Sequence, residues 1–178
     1  MILGIDLNSR SVAISYLRTD GRFHGFQSFT TKYKDRAQIL GALHDWMRYQ
    51  VSFNDVVYVE SPVLAGVRNI QSTIKVAAAY GSVLAAVDLR HAECVEVPVS
   101  SWKLATVGRG NASKDDVSKW LHAQHPDVHT ECSGDQNLMD AHCIALYGYQ
   151  DWSKQLSERH LRDQAPPAAP AGHRRRRD

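Results

Sequence analysis

The chain has 178 residues, 43% of them hydrophobic and 22% charged: enough for one domain with a real core, and too ordinary a composition for a disordered or fibrous protein. Its formal net charge is +2. The last five residues, four arginines and one aspartate, carry +3 of that, so the rest of the chain stands at −1 and affinity for a polyanion has to come from local patches and the tail. Cys94, Cys132 and Cys143 are odd in number and form no CxxC pair, which excludes a disulfide framework and points to a reducing compartment.

The first apolar run is short and ends in Asp6, so it does not read as a signal peptide. No window is expected to approach the ~20 apolar residues of a membrane span, and the expected location is cytoplasmic, with no membrane contact. His129, Cys132, His142 and Cys143 can be drawn as a zinc set, but their spacing fits no familiar finger. Buried free thiols and surface histidines are the simpler expectation.

In chain order, residues 2–7 read as a buried strand and Asn8-Ser9-Arg10 as a turn. Ser11 to Leu17 is a second strand, and Asp20-Gly21 signals a hairpin into a third, with Phe23, Gly25, Gln27 and Phe29 on one face. Ile39, Leu40, Leu43, Trp46 and Met47 recur at helical spacing within a helix over 34–49. Val56 to Glu60 is a short buried strand broken by Pro62. A long helix follows from Asn69 to Leu89. Its Ile70, Ile74, Ala77, Ala78, Gly81, Leu84 and Ala85 form a face of mostly small residues, suited to close packing on a sheet or a second subunit.

Cys94 to Val97 is the fifth strand, ended by Pro98, and Ser100 to Val107 a short helix. The loop 108–113 leads to a helix that starts at Ser113 with a capping-box-like Asp116 and reaches about Gln124, with Pro126 after its end. Gln136 to about Arg159 is the last helix. Residues 164–178 are Pro/Ala-rich and end in Arg174-Arg175-Arg176-Arg177, a composition that cannot bury a core, so they are expected to be a disordered tail behind a single domain over 1–163. Three antiparallel strands followed by alternating helices and strands predict an α/β fold, a mixed five-stranded sheet with helices on both faces.

Three acids stand out against this layout. Asp6 ends the first strand, Glu60 ends the fourth, and Asp140 sits in an otherwise apolar stretch of the last helix, Leu138-Met139-Asp140-Ala141. The ends of strands in an α/β sheet open on the crevice where ligands bind. Two carboxylates about 4 Å apart repel by roughly 4 kcal/mol at an effective dielectric near 20. Divalent metal ions are the usual balance for such a set. Asn137 lies about 60° from Asp140 on the same helical face and offers a weaker neutral oxygen. Asp135 lies about 140° round and is expected to cap or precede the helix instead.

The most specific segment runs Pro98-Val-Ser-Ser-Trp102-Lys103-Leu-Ala-Thr-Val-Gly108-Arg109-Gly110-Asn-Ala112-Ser-Lys114-Asp-Asp-Val117. Its two glycines let backbone approach a ligand, Lys103, Arg109 and Lys114 supply positive charge, and a helix start at Ser113 adds N–H donors suited to phosphate.

Together, Asp6, Glu60, the P-x-x-x-W-K…G-x-G-x-A-x-K block and Asp140-Ala141 resemble the RuvC-type Holliday-junction resolvases over roughly residues 2–150. The resemblance implies an RNase H-like fold, a homodimer, and Mg²⁺- or Mn²⁺-dependent cuts placed symmetrically in four-way DNA junctions, in recombination, repair or resolution of branched DNA. It implies that Asp6, Glu60 and Asp140, assisted by Asn137, hold two ions per active site. Lys103 and Lys114 match the family's DNA-contacting positions, and Lys114 is expected to steady charge on the scissile phosphate. Arg109 and Arg174, Arg175, Arg176 and Arg177 are expected to bind flanking phosphates. Two positions depart from the family pattern. Asn137 stands where an Asp or His is usual, and Val63, followed by Leu64, stands where an aromatic wedge is often found. A divergent member, of the kind a phage encodes, fits both.

Three rivals are kept. An RNase H-like nuclease acting on flaps or RNA–DNA hybrids is disfavoured because helix 34–49 carries no Glu. A non-catalytic junction-binding protein would favour basic residues over three acids. Ile5-Asp6-Leu7-Asn8-Ser9 also resembles the opening of sugar-kinase-type ATPases, which need about twice this length.

Overall fold

The computed structural model describes residues 1–62 and 70–163. Val63, Leu64, Asn69, the 164–178 tail and Arg174 to Arg177 lie outside the described residues.

Five strands form one mixed sheet. They are β1 (Ile2–Leu7), β2 (Ser11–Leu17), β3 (Phe23–Thr30), β4 (Val56–Glu60) and β5 (Glu93–Val97), in spatial order β3-β2-β1-β4-β5. The pairs β1–β2 and β2–β3 are antiparallel, joined through tight turns; Gly21 takes φ 82°, which a side chain would strain. The pairs β1–β4 and β4–β5 are parallel and need helical crossovers. These are α1 (Arg36–Gln50) and α2 (Ile70–Asp88). Beyond β5 come α3 (Val99–Val107), α4 (Lys114–Gln124), α5 (Pro126–Glu131) and α6 (Gln136–Asp163).

The sheet has a core on each face. Leu3, Ile5, Val57 and Val59 point to α1 and α2 and pack with Leu43, Met47, Val83 and Val87. Ile2, Leu17 and Tyr58 point the other way, onto Trp102, Val117, Leu121 and Ile144 of α3, α4 and α6. This is the mixed sheet with helices on both faces expected from the element order, and it agrees with the RNase H-like fold that the resemblance implies.

Gly4 brings α6 onto the centre of the sheet. A Cβ there would overlap the backbone of Ala141 and Ala145, and one on Gly148 would overlap the Tyr58 ring. The α6 backbone therefore lies directly on β1 and β4.

Several details differ from expectation. A register shift between Tyr16 and Leu17 pairs Gly25 with Tyr16 but Phe23 with Leu17, leaving an extra residue in β3. The alternation breaks there, so Phe23 and Phe29 do not share a face. Phe23 packs on Phe26 and His142 beneath α6, whereas Phe29 stacks on Trp46 of α1 with ring centroids 5.5 Å apart. Pro126 opens the extra helix α5 rather than only ending α4, as a proline at the first helical position can.

The small-residue face of α2 is largely turned from the sheet, although Leu84 packs against the core and Ala78 is half-buried. Ala79, Tyr80, Val83, Ala86 and Val87 are buried, while Ile70, Ile74, Ala77, Gly81 and Ala85 face solvent. Against the expectation of no membrane-length window, α2 is long and apolar enough to span a membrane by length and composition, with a mean hydropathy of 1.3. Its inner face is nevertheless part of the core. His142 is buried, not on the surface: its Nδ1 meets Ser15 Oγ at 2.9 Å, and burial pushes its pKa down to about 3, so it is neutral.

Candidate active site

Asp6 sits one residue from the end of β1, where β1 still pairs with β2 but has run past β4. Glu60 ends the parallel neighbour β4. Asp140 lies in the first turns of α6, which the bare Gly4 lets down against β1. Parallel pairing and close helix packing thus deliver three carboxylates to one end of the sheet. They line a cleft of about 350 Å³ with Asn8, Val99, Trp102, Lys103, Lys114 and Asn137.

The electrostatics are those of crowded, poorly solvated acids. Burial first, then the charges of Glu60 and Asp140, push the Asp6 pKa up to about 8. Burial also raises Glu60 and Asp140 above the usual carboxylate range. Lys114 opposes the rise at all three, so its ammonium faces the set. Glu60 Oε2 accepts the Trp102 indole N–H at 2.9 Å, and Asp140 Oδ1 accepts from Gln136 Nε2 at 2.8 Å. With Glu60 and Asp140 tied in this way, the acids converge on the cleft without closing into a cage. Among the described residues no group of three His, Cys, Asp or Glu side chains is already set to hold an ion. The donor chemistry still fits a hard divalent cation: three crowded carboxylates and the Asn137 amide, all oxygen ligands lining one cleft.

The basic residues divide by what already holds them. Lys114 opens α4 just inside the Ser113–Asp116 capping box and lines the cleft. Lys103 also lines it, but donates to the Ala112 carbonyl at 2.7 Å and so ties down the 108–113 loop. Arg109 is exposed and bonds Asp116 at 2.8 Å, away from the acids. Asp135 Oδ1 accepts the Asn137 backbone N–H at 2.9 Å, the capping role expected of it.

Trp102 and Gln136 were not anticipated as holders of Glu60 and Asp140, nor Asn8 as part of the lining. Trp102 stands inside the block singled out from sequence, and Gln136 is one helical turn before Asp140. Both were visible, though their partners were not. His129 and His142 are engaged elsewhere, with Ser118 and Ser15.

A family model described as Lactococcus phage M3 protein matches residues 9–150. The crossover junction endodeoxyribonuclease RuvC of Chlamydia trachomatis serovar L2 is 30% identical over 171 residues, covering 88% of this chain and 98% of that protein. Among solved structures, Thermus thermophilus RuvC in complex with a Holliday junction substrate superposes with a TM-score of 0.66 at 19% identity, covering 85% of this chain and 94% of that one. The yeast mitochondrial Holliday junction resolvase gives 0.53 at 15% identity, covering 92% and 83%. With the acids, the lysines and the sheet order already in place, these matches show that the chain belongs to the family described as Lactococcus phage M3 protein and to the RuvC crossover junction endodeoxyribonucleases.

Proposed function

We propose that this protein cuts four-way DNA junctions by divalent-metal-dependent phosphodiester hydrolysis, as a homodimer that places one cleft on each of two opposing strands. The observation that carries the reading is the convergence of Asp6, Glu60 and Asp140, all with raised pKa, beside Lys114. A non-catalytic DNA-binding surface would gain nothing from three crowded, half-buried acids.

In this reading Asp6, Glu60 and Asp140, with Asn137, hold two Mg²⁺ or Mn²⁺ ions. Those ions would supply an activated water and stabilise charge on the leaving oxygen. Trp102 and Gln136 orient Glu60 and Asp140. Lys114 places a fixed positive charge where the scissile phosphate enters, which favours the more highly charged transition state. Lys103 holds the loop from which Arg109 reaches flanking phosphate. Arg174 to Arg177 add further contacts from the tail.

The exposed small-residue face of α2 is the dimer contact. A Cβ on Gly81 meets nothing within 4 Å inside the protomer, so Gly81→Arg should leave the fold intact while splitting the dimer and uncoupling the paired cuts. The free thiols Cys94, Cys132 and Cys143 agree with a protein that works beside DNA in a reducing cytoplasm.

The test is cleavage of labelled four-way junction, linear duplex, flap and RNA–DNA hybrid in Mg²⁺, Mn²⁺ or EDTA. Junction cutting that needs metal, and stops in Asp6→Asn, is the expected result. Cutting in EDTA would overturn the metal mechanism, and preference for the hybrid would overturn the substrate.

A further inference from the structure

Arg10, Lys34, Arg36 and Lys75 come from three separate places: the β1–β2 turn, the entry to α1, and the second turn of α2. They nevertheless line one concave pocket of about 210 Å³ whose apolar wall is Ile39 and Leu40. Four exposed cations around one concavity make a local patch of positive charge suited to an anion. Among the described residues none of the four is in an ion pair. Asp35, the acid between Lys34 and Arg36, is engaged in capping α1, accepting from the Gln38 N–H at 3.0 Å. Arg10 is fixed in place by donating to the Thr31 and Tyr33 carbonyls at 3.1 and 2.6 Å, so part of the pocket is preorganised.

The position narrows the ligand. Thr30 pairs with Ser11, which puts the end of β3 beside the β1–β2 turn, at the same end of the sheet as Asp6. Asn8 lines the catalytic cleft, and Ser9 and Arg10 line this pocket. From Asp6 to Arg10 the chain spans at most about 14 Å. That is roughly four nucleotides of rise along one strand at about 3.4 Å each. The volume falls below the roughly 300 Å³ at which pockets begin to enclose a whole drug-sized ligand, so a backbone phosphate fits better than a complete nucleotide.

We infer that this pocket is a second phosphate site, which grips the sugar-phosphate backbone of the DNA arm a few nucleotides from the bond cut in the cleft. The inference rests on the DNA-cutting reading above for its ligand. It adds a contact outside the Trp102–Lys114 block and the tail.

The test uses the full chain carrying R36A and K75A together, two exposed side chains outside both cores; Arg10 is spared because its bonds hold the β3–α1 loop. Affinity for a four-way junction and for a linear duplex of equal length is measured in EDTA across a salt series, and single-turnover cleavage in Mg²⁺ at saturating protein. Each phosphate contact contributes about 0.9 to the slope of log affinity against log salt, so the slope should fall by about 1.8. Between 50 and 200 mM salt the unmodified protein should then lose about tenfold more affinity than the variant. The saturated cleavage rate and the cut position should not change. K119A, which removes a surface cation paired to Asp115, serves as a control and should leave the slope unmoved.

An unchanged slope on both DNAs overturns the pocket while junction cutting by the unmodified protein stands. If the unmodified protein cuts no junction, the function fails, and the slope on linear duplex still decides the pocket. A saturated rate that collapses in the variant would place these residues in the catalytic machinery and overturn a separate site. Thermal protection by inorganic phosphate that disappears in the variant, with the DNA slope intact, would make it a small-anion site and overturn the DNA contact.

Discussion

The acidic cleft and the basic pocket lie at the same end of one sheet, divided by the turn Asn8-Ser9-Arg10, and they handle charge in opposite ways. The cleft gathers acids that are half-buried and partly desolvated, so their charge is costly and their pKa values rise. The pocket gathers cations that stay largely in water. Buried charge suits chemistry, because a ligand that neutralises it is held tightly and in fixed geometry. Solvated charge suits tracking a polyanion, because each contact is weak, exchangeable and sensitive to salt.

The largest effect should come from the acids. Asp6→Asn or Asp140→Asn is expected to lower junction cleavage by about 10³-fold or more, roughly 4 kcal/mol of barrier, while junction binding in EDTA holds or improves. Cleavage within tenfold of the unmodified protein in both variants would break the assignment of the cleft.

Next is the spacing of the cleft. Gly4→Val puts a branched side chain where the Ala141 and Ala145 backbone lies. Overpacking costs about 1–3 kcal/mol, and a backbone obstacle belongs at the top of that range, so Tm should drop by about 6–12 °C. Because Asp140 rides on α6, cleavage at a temperature where the variant is still folded should fall as well. The basic pocket should be untouched, so the salt slope of the folded variant should match that of the unmodified protein.

A smaller effect separates the two regions by pH. Between the ordinary Asp value of 3.8 and about 8, the folded protein keeps a proton on Asp6 that the unfolded chain has lost. Stability of the metal-free protein should therefore fall as pH rises through that window, with Glu60 and Asp140 adding in the same direction. Asp6→Asn should flatten the dependence of Tm on pH, and the Tm gained from Mg²⁺ should grow toward pH 8. R36A/K75A should leave the pH profile alone.

The last effect is confined to binding. Deleting 164–178 removes Arg174 to Arg177 and should lower the salt slope by at most about 3.6, without moving the cut. A moved cut would mean that the tail does more than hold phosphates.

How much of this was legible in the sequence depended on the kind of signal. The strands holding Asp6 and Glu60 announce themselves as apolar runs ending in a charge, and the capping box at Ser113 is a local pattern that the structure reproduces. Asn137 and Asp140 share the cleft lining because a helix has a fixed turn. Contacts between distant residues were not legible. Periodicity shows which face Trp102 belongs to but not that it will hold Glu60, 42 residues away. The shift at Tyr16/Leu17 is invisible to a period-two reading, because one inserted residue changes faces without changing composition. The pocket joins residues from 10 to 75, and each of its cations alone reads as an ordinary solvated charge.

That shift at Tyr16/Leu17 has a consequence for how the domain comes apart. By sending Phe23 to one core and Phe29 to the other, it makes the edge strand β3 a rivet through both layers. Neither layer can loosen without disturbing the same strand, so slow-exchanging amides in α1 and α6 should lose protection together with rising denaturant rather than in sequence.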